Sequence, residues 1–337
     1  MRILVTGGAG FIGSHFTEAA CDRWPSAKVT VLDKLTYAGV RGNLDSLRLN
    51  PRFRFIRGSI TDRKLVRKLL RETDLLVNFA AETHVDRSLL WAGTFLETDV
   101  MGTFTLLEVA RELGTVKRIV LMSTDEVYGP VMHGEARELS RLDPSSPYSA
   151  SKASGDLLAL AYARSFRLPV VIPRGCNIYG PRQFPEKFIP LFTVNALRGL
   201  PLPLYGDGKQ KREWMHVSDA VRGIMAIAGR GKAGEIYNIG TADRRPNIEV
   251  ARRILRAAGA PESLIRPVKD RPGHDRRYAV SAAKARSLGW RPAVAFPKGL
   301  ESTVAWYRDN ASWWRPLLAQ EGRYFRIQYA KRLGRKS

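Results

Sequence analysis

The sequence predicts an α/β fold, in which a doubly wound parallel sheet is followed by a smaller C-terminal α/β lobe. Three observations support this prediction. Short apolar runs alternate with helical stretches in the first half of the chain, glycines follow the first run directly, and an acidic residue ends the second run. Short apolar runs of this kind are typical of strands that are buried in a parallel sheet.

The first unit consists of a strand at 2–6, a turn with glycines at positions 7, 10 and 13, and a helix from about 14 to 24. Glycine lets such a turn tighten, lets the backbone approach a pyrophosphate and lets the helix pack close to the strand. The free N–H groups at the helix N-terminus are then available to phosphate. The unit therefore predicts a Rossmann-type dinucleotide site.

The second strand, 28–33, ends in Asp33. A carboxylate here accepts hydrogen bonds from the adenosine ribose and repels a 2′-phosphate, which predicts NAD rather than NADP. A third strand at 53–58 and a fourth at 74–81 follow, and the small residues that end the fourth leave room for a dinucleotide. The predicted NAD-binding residues are Gly7, Gly10, Phe11, Ile12, Gly13, Asp33, Lys34, Thr36, Ser59, Ile60, Ala80, Ala81, Tyr148 and Lys152.

A long helix is predicted at about 91–113, and a fifth strand at 118–122 leads into the polar stretch 123–129. Thr124, Asp125 and Glu126 thus lie where a strand becomes a loop, the edge at which open α/β sheets bind ligands. Neighbouring residues on a regular strand point to opposite faces. The backbone must therefore bend at Asp125 if both carboxylates are to reach one substrate.

Tyr148 and Lys152 lie four residues apart on the helix predicted at 148–166, so they share one face. A nearby ammonium favours the phenolate, which predicts a lowered Tyr148 pKa and a usable general base. The spacing alone occurs on any amphipathic helix, and it gains meaning from the dinucleotide turn and the polar strand exit. The predicted catalytic residues are Thr124, Asp125, Glu126, Tyr148 and Lys152.

A sixth strand at 168–173 precedes a region in which prolines become frequent and the alternation weakens, before a further strand at 235–240. The predicted domains are an NAD-binding domain at 1–180, to which later segments can return, a substrate-binding lobe at 181–320 and a basic tail at 321–337.

Candidates for phosphate binding in the second lobe are Lys187, Arg212, Arg271 and His274. Arginine suits phosphate because its fork is planar and permanently charged. Taken singly, each of these residues is more often a solvated surface charge than a phosphate ligand.

The composition, 44% hydrophobic and 26% charged over 337 residues, is that of a soluble globular protein. No run of about 18 apolar residues is present, so no membrane span is expected. The first residues lead straight into a strand, unlike a signal peptide. Cys21 and Cys176 form no disulfide framework and no metal set, which predicts a cytoplasmic protein without a metal.

The chain is strongly basic, with 55 basic and 32 acidic residues and a net charge of +23. These charges are spread along the chain and accompany no nucleic-acid motif, so nucleic-acid binding is not predicted. A positive field also concentrates an anionic nucleotide substrate.

Two short motifs, Gly7-x-x-Gly10-x-x-Gly13 and Tyr148-x-x-x-Lys152, resemble the extended short-chain dehydrogenase/reductase superfamily. Longer stretches at 33–39, 80–88, 123–129, 184–190, 205–208 and 270–279 resemble, within it, the dTDP-glucose 4,6-dehydratase family. The likeness covers about residues 1–310. It implies substrate contacts from Thr83, His84, Asn177, Glu186, Lys187, Arg212, Arg271, His274 and Tyr278.

The chain departs from the family pattern near the expected cofactor and substrate. Ser59 stands where the family commonly has Asp, Asn78 where it has His, and Asp99 where it has Asn. Ile178 stands where the family has a further Asn, and His216 stands where it has Tyr. These departures bear on the nucleotide base and the sugar and leave the acid–base residues intact.

The resemblance implies a three-step reaction and a homodimer. Tyr148, held by Lys152 and Thr124, takes the proton of the sugar 4-hydroxyl while hydride passes from C4 to NAD. Glu126 then removes the C5 proton and Asp125 protonates the departing C6 hydroxyl, after which hydride returns to C6. In relatives, helices equivalent to 91–113 and 148–166 pair with those of a second subunit.

Another sugar-nucleotide enzyme of the superfamily is the alternative: a UDP-sugar 4,6-dehydratase, a 5,6-dehydratase or a 4-epimerase. An epimerase does not need Asp125 and Glu126, so these two side chains separate the hypotheses.

Overall fold

The computed structural model describes residues 1–320 and Tyr324. Its strands, in chain order, are β1 (Arg2–Thr6), β2 (Lys28–Asp33), β3 (Phe53–Arg57), β4 (Leu75–Asn78), β5 (Arg118–Leu121), β6 (Ser123–Thr124), β7 (Val170–Gly175), β8 (Asn177–Tyr179), β9 (Leu202–Tyr205), β10 (Lys211–His216), β11 (Glu235–Ile239), β12 (Arg244–Pro246) and β13 (Ile265–Val268).

The α-helices are α1 (Phe11–Arg23), α2 (Arg63–Leu70), α3 (Val85–Ser88), α4 (Ala92–Phe95), α5 (Thr103–Leu113), α6 (Pro147–Phe166), α7 (Phe188–Leu197), α8 (Val217–Arg230), α9 (Asn247–Ala258), α10 (Ala283–Ser287), α11 (Phe296–Asp309) and α12 (Ala311–Gln320). A π-helical segment spans Leu96–Gly102, and 3₁₀ turns span Arg41–Leu47, Asp125–Tyr128 and Glu262–Leu264.

The central sheet has eight parallel strands in the order β11-β7-β5-β4-β1-β2-β3, with β6 also paired to β7. The chain moves outward from β1 to β3, returns to β4 on the other side of β1, and continues away from it. The order therefore reverses between β1 and β4, and ligands of open α/β sheets bind at such a point. The predicted Rossmann-type class is confirmed.

Alternate residues of β1 enter separate cores on the two faces of this sheet. Ile3 and Val5 pack with Phe16 of α1 in one buried cluster. Leu4 packs with Leu107 of α5 in another. Because successive side chains of a strand point to opposite faces, this division shows that helices cover both faces of the sheet.

Two smaller sheets lie in the later part of the chain. One joins β8, β10 and β12, and the other joins β9 and β13. Strand β11, although it lies beyond residue 180, pairs in parallel with β7 in the central sheet. A separate core formed around α7, α9 and α11 supports the two smaller sheets.

The prediction of one continuous helix at 91–113 is wrong in one detail, because the helix is not regular along its length. The π-helical segment Leu96–Gly102 separates α4 from α5. At Gly102 an added Cβ would lie 2.4 Å from Ile60 Cδ1, so this part of the helix packs closely on the loop after β3. A π-helix differs from an α-helix in its i→i+5 hydrogen bonds and not in its residue types, so the sequence does not reveal this segment.

The predicted bounds of the sixth strand also differ. The strand runs from Val170 to Gly175 rather than over 168–173, and it follows the left-handed Arg167 that ends α6. The predicted basic tail, 321–337, lies outside the described residues except for Tyr324, which is buried.

Candidate active site

A long cavity opens at the carboxyl ends of the central strands, across the point where the strand order reverses. All fourteen predicted NAD-binding residues line it, from Gly7 in the first turn to Lys152 on α6. Thr124, Asp125 and Glu126 line it as well. The cavity therefore brings the predicted cofactor and catalytic residues to one place.

The glycine turn leaves no room for side chains. Gly7 has a φ of +66°, and a Cβ on it would lie 2.4 Å from the backbone nitrogen of Ala80. A Cβ on Gly13 would lie 2.2 Å from the Gly7 carbonyl oxygen. Helix α1 begins just beyond Gly10 without a side-chain cap, so its first N–H groups are available to a phosphate.

Asp33 is held rigidly at the end of β2. Its Oδ2 accepts a hydrogen bond from Ala9 N at 2.9 Å, and its Oδ1 accepts one from Leu35 N at 2.8 Å. Burial raises the pKa of Asp33, whereas these two N–H donors lower it. The turn and this carboxylate fit a dinucleotide whose ribose hydroxyls are free, as predicted for NAD.

Sequence reasoning did not identify several further residues that line the cavity. Tyr37 and Gly39 lie in the loop after Asp33, and Glu82, Thr98 and Gln183 come from three other elements. Tyr37 and Gly39 belong to the stretch 33–39 on which the family likeness rests, so that stretch could have pointed to them. Thr98 lies in the irregular helical segment and carries no comparable signal.

The backbone bends where the two catalytic carboxylates require it. β6 ends at Thr124, and a 3₁₀ turn begins at Asp125. Thr124 Oγ1 accepts a hydrogen bond from Glu126 N at 3.3 Å, which caps the turn. Asp125 and Glu126 therefore both reach the cavity, as expected from the strand exit.

The two carboxylates have different surroundings. Burial raises the pKa of Asp125 well above its ordinary value, and the charges of Glu126 and Glu213 add to this effect. Asp125 Oδ2 is buried and has no hydrogen-bond partner among the described residues. Asp125 is therefore suited to carry a proton and donate it into the cavity.

Glu126 faces several cations. Burial raises its pKa, whereas Arg271, Arg212 and Lys187 each lower it. Among the main influences on the pKa of Asp125, Arg212 is the basic residue that lowers it. Of the two, Glu126 is the carboxyl that is more readily ionised and is suited to act as a base.

Tyr148 and Lys152 lie together in the cavity, yet the predicted effect on the tyrosine pKa is wrong for the protein alone. Burial, Glu126 and Asp99 raise the pKa of Tyr148 well above its ordinary value, and a hydrogen bond with Thr124 lowers it. Lys152 Nζ instead donates to the Met122 carbonyl oxygen at 2.6 Å. Helical spacing shows which groups share a face but not how deeply the phenol is buried.

The predicted substrate-binding residues fall into two groups. Thr83, Asn177 and Lys187 line the cavity. The others lie outside its immediate lining; they are His84, Glu186, Arg212, Arg271, His274 and Tyr278. Lys187 links the groups, because it is partly buried, donates to the Thr83 carbonyl oxygen and lowers the pKa of Glu126.

Arg212 and Tyr278 form a layer behind Glu126. The Arg212 guanidinium lies 4.2 Å from the centre of the Tyr278 ring. Tyr278 Oη lies 3.5 Å from Glu126 Oε2 and donates to Asp275 Oδ2 at 2.7 Å. Asp275, which sequence reasoning missed, thereby fixes the phenol beside the predicted base.

Arg271 and His274 are held by separate acidic partners. Arg271 Nη1 forms an ion pair with Asp86 Oδ1 at 2.9 Å, and Tyr205 donates to the other Asp86 oxygen at 2.6 Å. His274 Nδ1 lies 2.6 Å from Asp270 Oδ1. Burial lowers the pKa of His274 to about 4, with Arg271 and Arg212 contributing, so this imidazole is neutral near pH 7.

His84 and Glu186 belong to a buried cluster around Arg87. Arg87 Nε pairs with Glu186 Oε2 at 2.6 Å, and its guanidinium lies between the rings of Tyr37 and Tyr324, at 3.6 and 4.0 Å. Tyr324 Oη lies 2.9 Å from His84 Nδ1. His84 and Glu186 thus support the wall that Tyr37 contributes to the cavity.

The described residues contain neither a metal-binding cluster nor a membrane-spanning helix. No group of three or more His, Cys, Asp and Glu side chains is arranged to hold a metal ion. No described helix combines the length and apolar character needed to cross a membrane. Cys21 and Cys176 are both buried and unpaired with each other.

Comparison with known proteins gives consistent results. The model of the GDP-mannose 4,6 dehydratase family matches residues 4–303. A dTDP-glucose 4,6-dehydratase from Streptomyces antibioticus is 50% identical over 323 residues, covering 94% of this chain and 95% of that protein.

Solved structures agree with this result. DesIV, a dTDP-glucose 4,6-dehydratase from Streptomyces venezuelae solved with NAD bound, is 52% identical with a TM-score of 0.92 and covers 94% of this chain and 100% of its own. A dTDP-glucose 4,6-dehydratase from Bacillus anthracis in complex with NAD is 43% identical with a TM-score of 0.88, over 94% and 99% of the two chains.

Proposed function

The chain belongs to the GDP-mannose 4,6 dehydratase family, and we propose that it converts dTDP-glucose to dTDP-4-keto-6-deoxyglucose and water with NAD as cofactor. The observation that carries this proposal is the adjacent pair Asp125 and Glu126. The two carboxyls reach one cavity beside Tyr148. Burial raises both pKa values, but that of Asp125 lies well above its ordinary value, whereas three cations lower that of Glu126. Elimination of water needs one acid and one base at the same sugar, and this pair supplies both.

The glycine turn, the N-terminus of α1 and Asp33 would hold NAD. Gly7 and Gly13 allow the pyrophosphate to approach the backbone, and Asp33 lies where the adenosine ribose hydroxyls are bound. Bound NAD supplies the hydride acceptor for the sugar C4 and the source from which hydride returns to C6. Because the oxidation is reversed within one turnover, the cofactor need not leave the protein.

Tyr148 is the group that we assign to the oxidation at C4. Its phenolate takes the proton of the sugar 4-hydroxyl, and the hydrogen bond with Thr124 favours this ionised form. Lys152 holds its ammonium in place on the Met122 carbonyl oxygen and supplies positive charge on the same helix face. The burial that raises the Tyr148 pKa requires this positive charge to be close when the phenol ionises.

Asp125 and Glu126 carry out the elimination. The 4-ketone acidifies the C5 hydrogen, and Glu126 removes it as a proton. Asp125 donates its proton to the C6 hydroxyl, which departs as water. Glu126 later returns a proton to C5 and is ionised again. Asp125 is then ionised and Tyr148 is protonated, so a proton passes from Tyr148 to Asp125, directly or through solvent, before the next turnover.

The cations around Glu126 suit a diphosphate substrate. Lys187 lines the cavity, and Arg212 and Arg271 lie behind Glu126. We assign these three side chains to the two phosphates, and Asn177, whose Oδ1 is buried without a partner among the described residues, to the sugar or the base. The cations thus have two roles, since they bind the substrate and keep the base ionised.

A 4-epimerase is the second candidate, because it would share Thr124, Tyr148 and Lys152. An epimerase has no elimination step, so the separate environments of Asp125 and Glu126 favour the dehydratase.

Two broader features are also proposals. Large apolar side chains are exposed on the π-helical segment and on α6, where Leu96, Met101, Leu157 and Phe166 are each more than half exposed. We propose that these helices pair with a second copy in a homodimer. The two unpaired cysteines are consistent with the cytoplasm. We further propose that residues 1–180 mainly bind NAD and residues 181–320 mainly bind the sugar nucleotide.

The activity can be tested by mass spectrometry. dTDP-glucose and UDP-glucose are incubated separately with the purified protein, without added NAD. We expect the dTDP sugar to lose one water, and one deuterium to enter C5 when the reaction runs in D₂O. Tyr148→Phe is the matched control and should abolish the conversion. Conversion to an epimer with no loss of water would contradict the dehydratase activity. Loss of water from the UDP sugar alone would contradict the assigned nucleotide base.

A further inference from the structure

Asp99 is a buried carboxylate beside the catalytic helix that the proposed reaction does not use. It lies in the π-helical segment Leu96–Gly102 and is 3% exposed. Its Oδ1 accepts a hydrogen bond from Glu82 N at 2.9 Å, and its Oδ2 accepts one from Ser151 Oγ at 2.8 Å. Asp99 thus joins the loop after β4 to the turn of α6 that carries Tyr148 and Lys152.

The hydroxyl of Ser151 makes this connection sensitive to charge. Ser151 Oγ lies 2.8 Å from Asp99 Oδ2 and 2.8 Å from the Tyr148 carbonyl oxygen, and it has one proton to donate. When Asp99 is ionised, Ser151 donates to the carboxylate. When Asp99 is protonated, the carboxyl can donate to Ser151, which then donates to the Tyr148 carbonyl.

Charged groups face Asp99 from two elements. Lys152 lies on α6 and lowers the pKa of Asp99, although burial raises it to about 6. Glu82 lies in the loop after β4, and burial together with Asp99 raises its pKa to about 7. Tyr148 is the third facing group, since the charge of Asp99 opposes its ionisation.

More distant charges complete these surroundings. Asp156, on α6, interacts with Lys152 from its ion pair with Arg174. Arg87 and Lys34 act on Glu82 and lower its pKa. The negative charge of Asp99 is therefore opposed mainly by Lys152.

We propose that Asp99 is a positioning residue for the oxidation step, which holds the Tyr148–Lys152 turn through Ser151 and places a negative charge beside these two side chains. This charge makes the Tyr148 phenolate harder to form. Asp99 thereby sets the lower pH limit of activity. The proposal rests on the role assigned to Tyr148 in the proposed function.

Asp99→Asn separates the charge from the hydrogen bonds. The amide oxygen can still accept from Glu82 N, and the amide nitrogen can donate to Ser151, so the frame is kept while the charge is lost. We expect the acidic limb of the kcat/KM profile to move to lower pH by about one unit, the order of shift that removal of one partly screened charge produces. The plateau should change little. Asp99→Leu removes the frame too and should lower the plateau.

Two further measurements make the test decisive. Glu97→Gln removes an exposed charge from the same segment and should leave the profile in place. An ultraviolet titration of the purified protein with its retained cofactor, with Tyr148→Phe as reference, should show the Tyr148 phenolate forming at lower pH in Asp99→Asn. This titration needs no substrate, so it supports the role of Asp99 even if dTDP-glucose is not converted.

The proposal would be overturned if Asp99→Asn titrated like the unchanged protein. It would also be overturned if Asp99→Asn lowered kcat/KM equally at every pH, which is the behaviour of a purely structural residue, or if Glu97→Gln produced the same shift.

Discussion

Asp125 and Glu126 show how two neighbouring residues acquire different chemistry. They share a backbone turn and the same type of acid group, but only Glu126 faces Arg271, Arg212 and Lys187 together. Asp125 instead faces Glu213 and has an unpartnered oxygen among the described residues. The difference comes from residues far away in the chain, and it supports the proposed roles of Asp125 as the acid and Glu126 as the base.

Substituting each carboxyl by its amide should stop the reaction after the oxidation at C4. In Asp125→Asn and Glu126→Gln we expect the overall rate of water loss to fall by about 10²–10⁴, the usual contribution of a positioned acid or base. Reduced cofactor should then accumulate, because hydride has no product to which it can return. Rapid-mixing absorbance of the reduced nicotinamide, alongside mass spectrometry of the sugar, measures both.

Unchanged water loss in either variant would contradict the assigned roles. Glu97→Gln is the matched control, since it removes an exposed carboxylate outside the cavity, and its rate should equal that of the unchanged protein.

At the residue scale, the sequence predicts which groups enter the site better than it predicts their ionisation. One cavity is lined by the turn glycines, Asp33, Thr124 and Tyr148. Positions at strand ends indicated the first three, and the Tyr148–Lys152 spacing on a helix indicated the last. The predicted lowering of the Tyr148 pKa was wrong, because burial and the charge of Glu126 raise this pKa and both depend on the fold. Asp275 was missed although it lies in the family-like stretch 270–279, because only the fold shows that its partner Tyr278 lies near Glu126.

At the scale of elements, close approach of the backbone decides what the first turn tolerates. Gly13 lies in α1, and a Cβ at this position would meet the Gly7 carbonyl oxygen at 2.2 Å. Helix and turn must separate to accept it, and this separation would disturb the surface that fits a pyrophosphate.

Gly13→Ala should therefore reduce cofactor retention and stability together. Overpacking of this kind costs about 1–3 kcal/mol in unfolding free energy. Thermal melts and the nicotinamide content of the purified protein measure the two effects. Gly93→Ala is the control, because Gly93 lies in α4 with no atom within 4 Å of an added Cβ, and it should melt at or above the temperature of the unchanged protein. Equal melting and equal cofactor content in the two variants would contradict the close-packing explanation.

Element types were predictable because most strands of the central sheet carry a short buried apolar run between helical stretches. The irregular parts were not. The π-helical segment at Leu96–Gly102 and the left-handed Arg167 depend on single backbone conformations that side-chain periodicity does not record. The return of β11 to the central sheet depends on the path of the whole second lobe.

At the scale of the whole molecule, the proposed homodimer gives the exposed apolar side chains of α6 a partner. Leu157→Glu should weaken association at least about tenfold, because a charge would be buried in the core of the interface. Sedimentation velocity at several protein concentrations measures this. Leu49→Glu, at a leucine that is 94% exposed elsewhere on the surface, is the control and should leave the dimer intact. Equal association of both variants would show that α6 is not the interface.

Tyr324 lies beyond residue 303, where the match to the family model ends, yet its ring covers Arg87 and its hydroxyl contacts His84. Trimming the protein to the family-matched region would strip this aromatic cover from a wall of the cofactor cavity. Met1, by contrast, is about half exposed at the opposite end of β1 from the glycine turn. For a biosensor or an immobilised catalyst, the N-terminus is the better point of attachment, and the C-terminal residues through Tyr324 should be left in place.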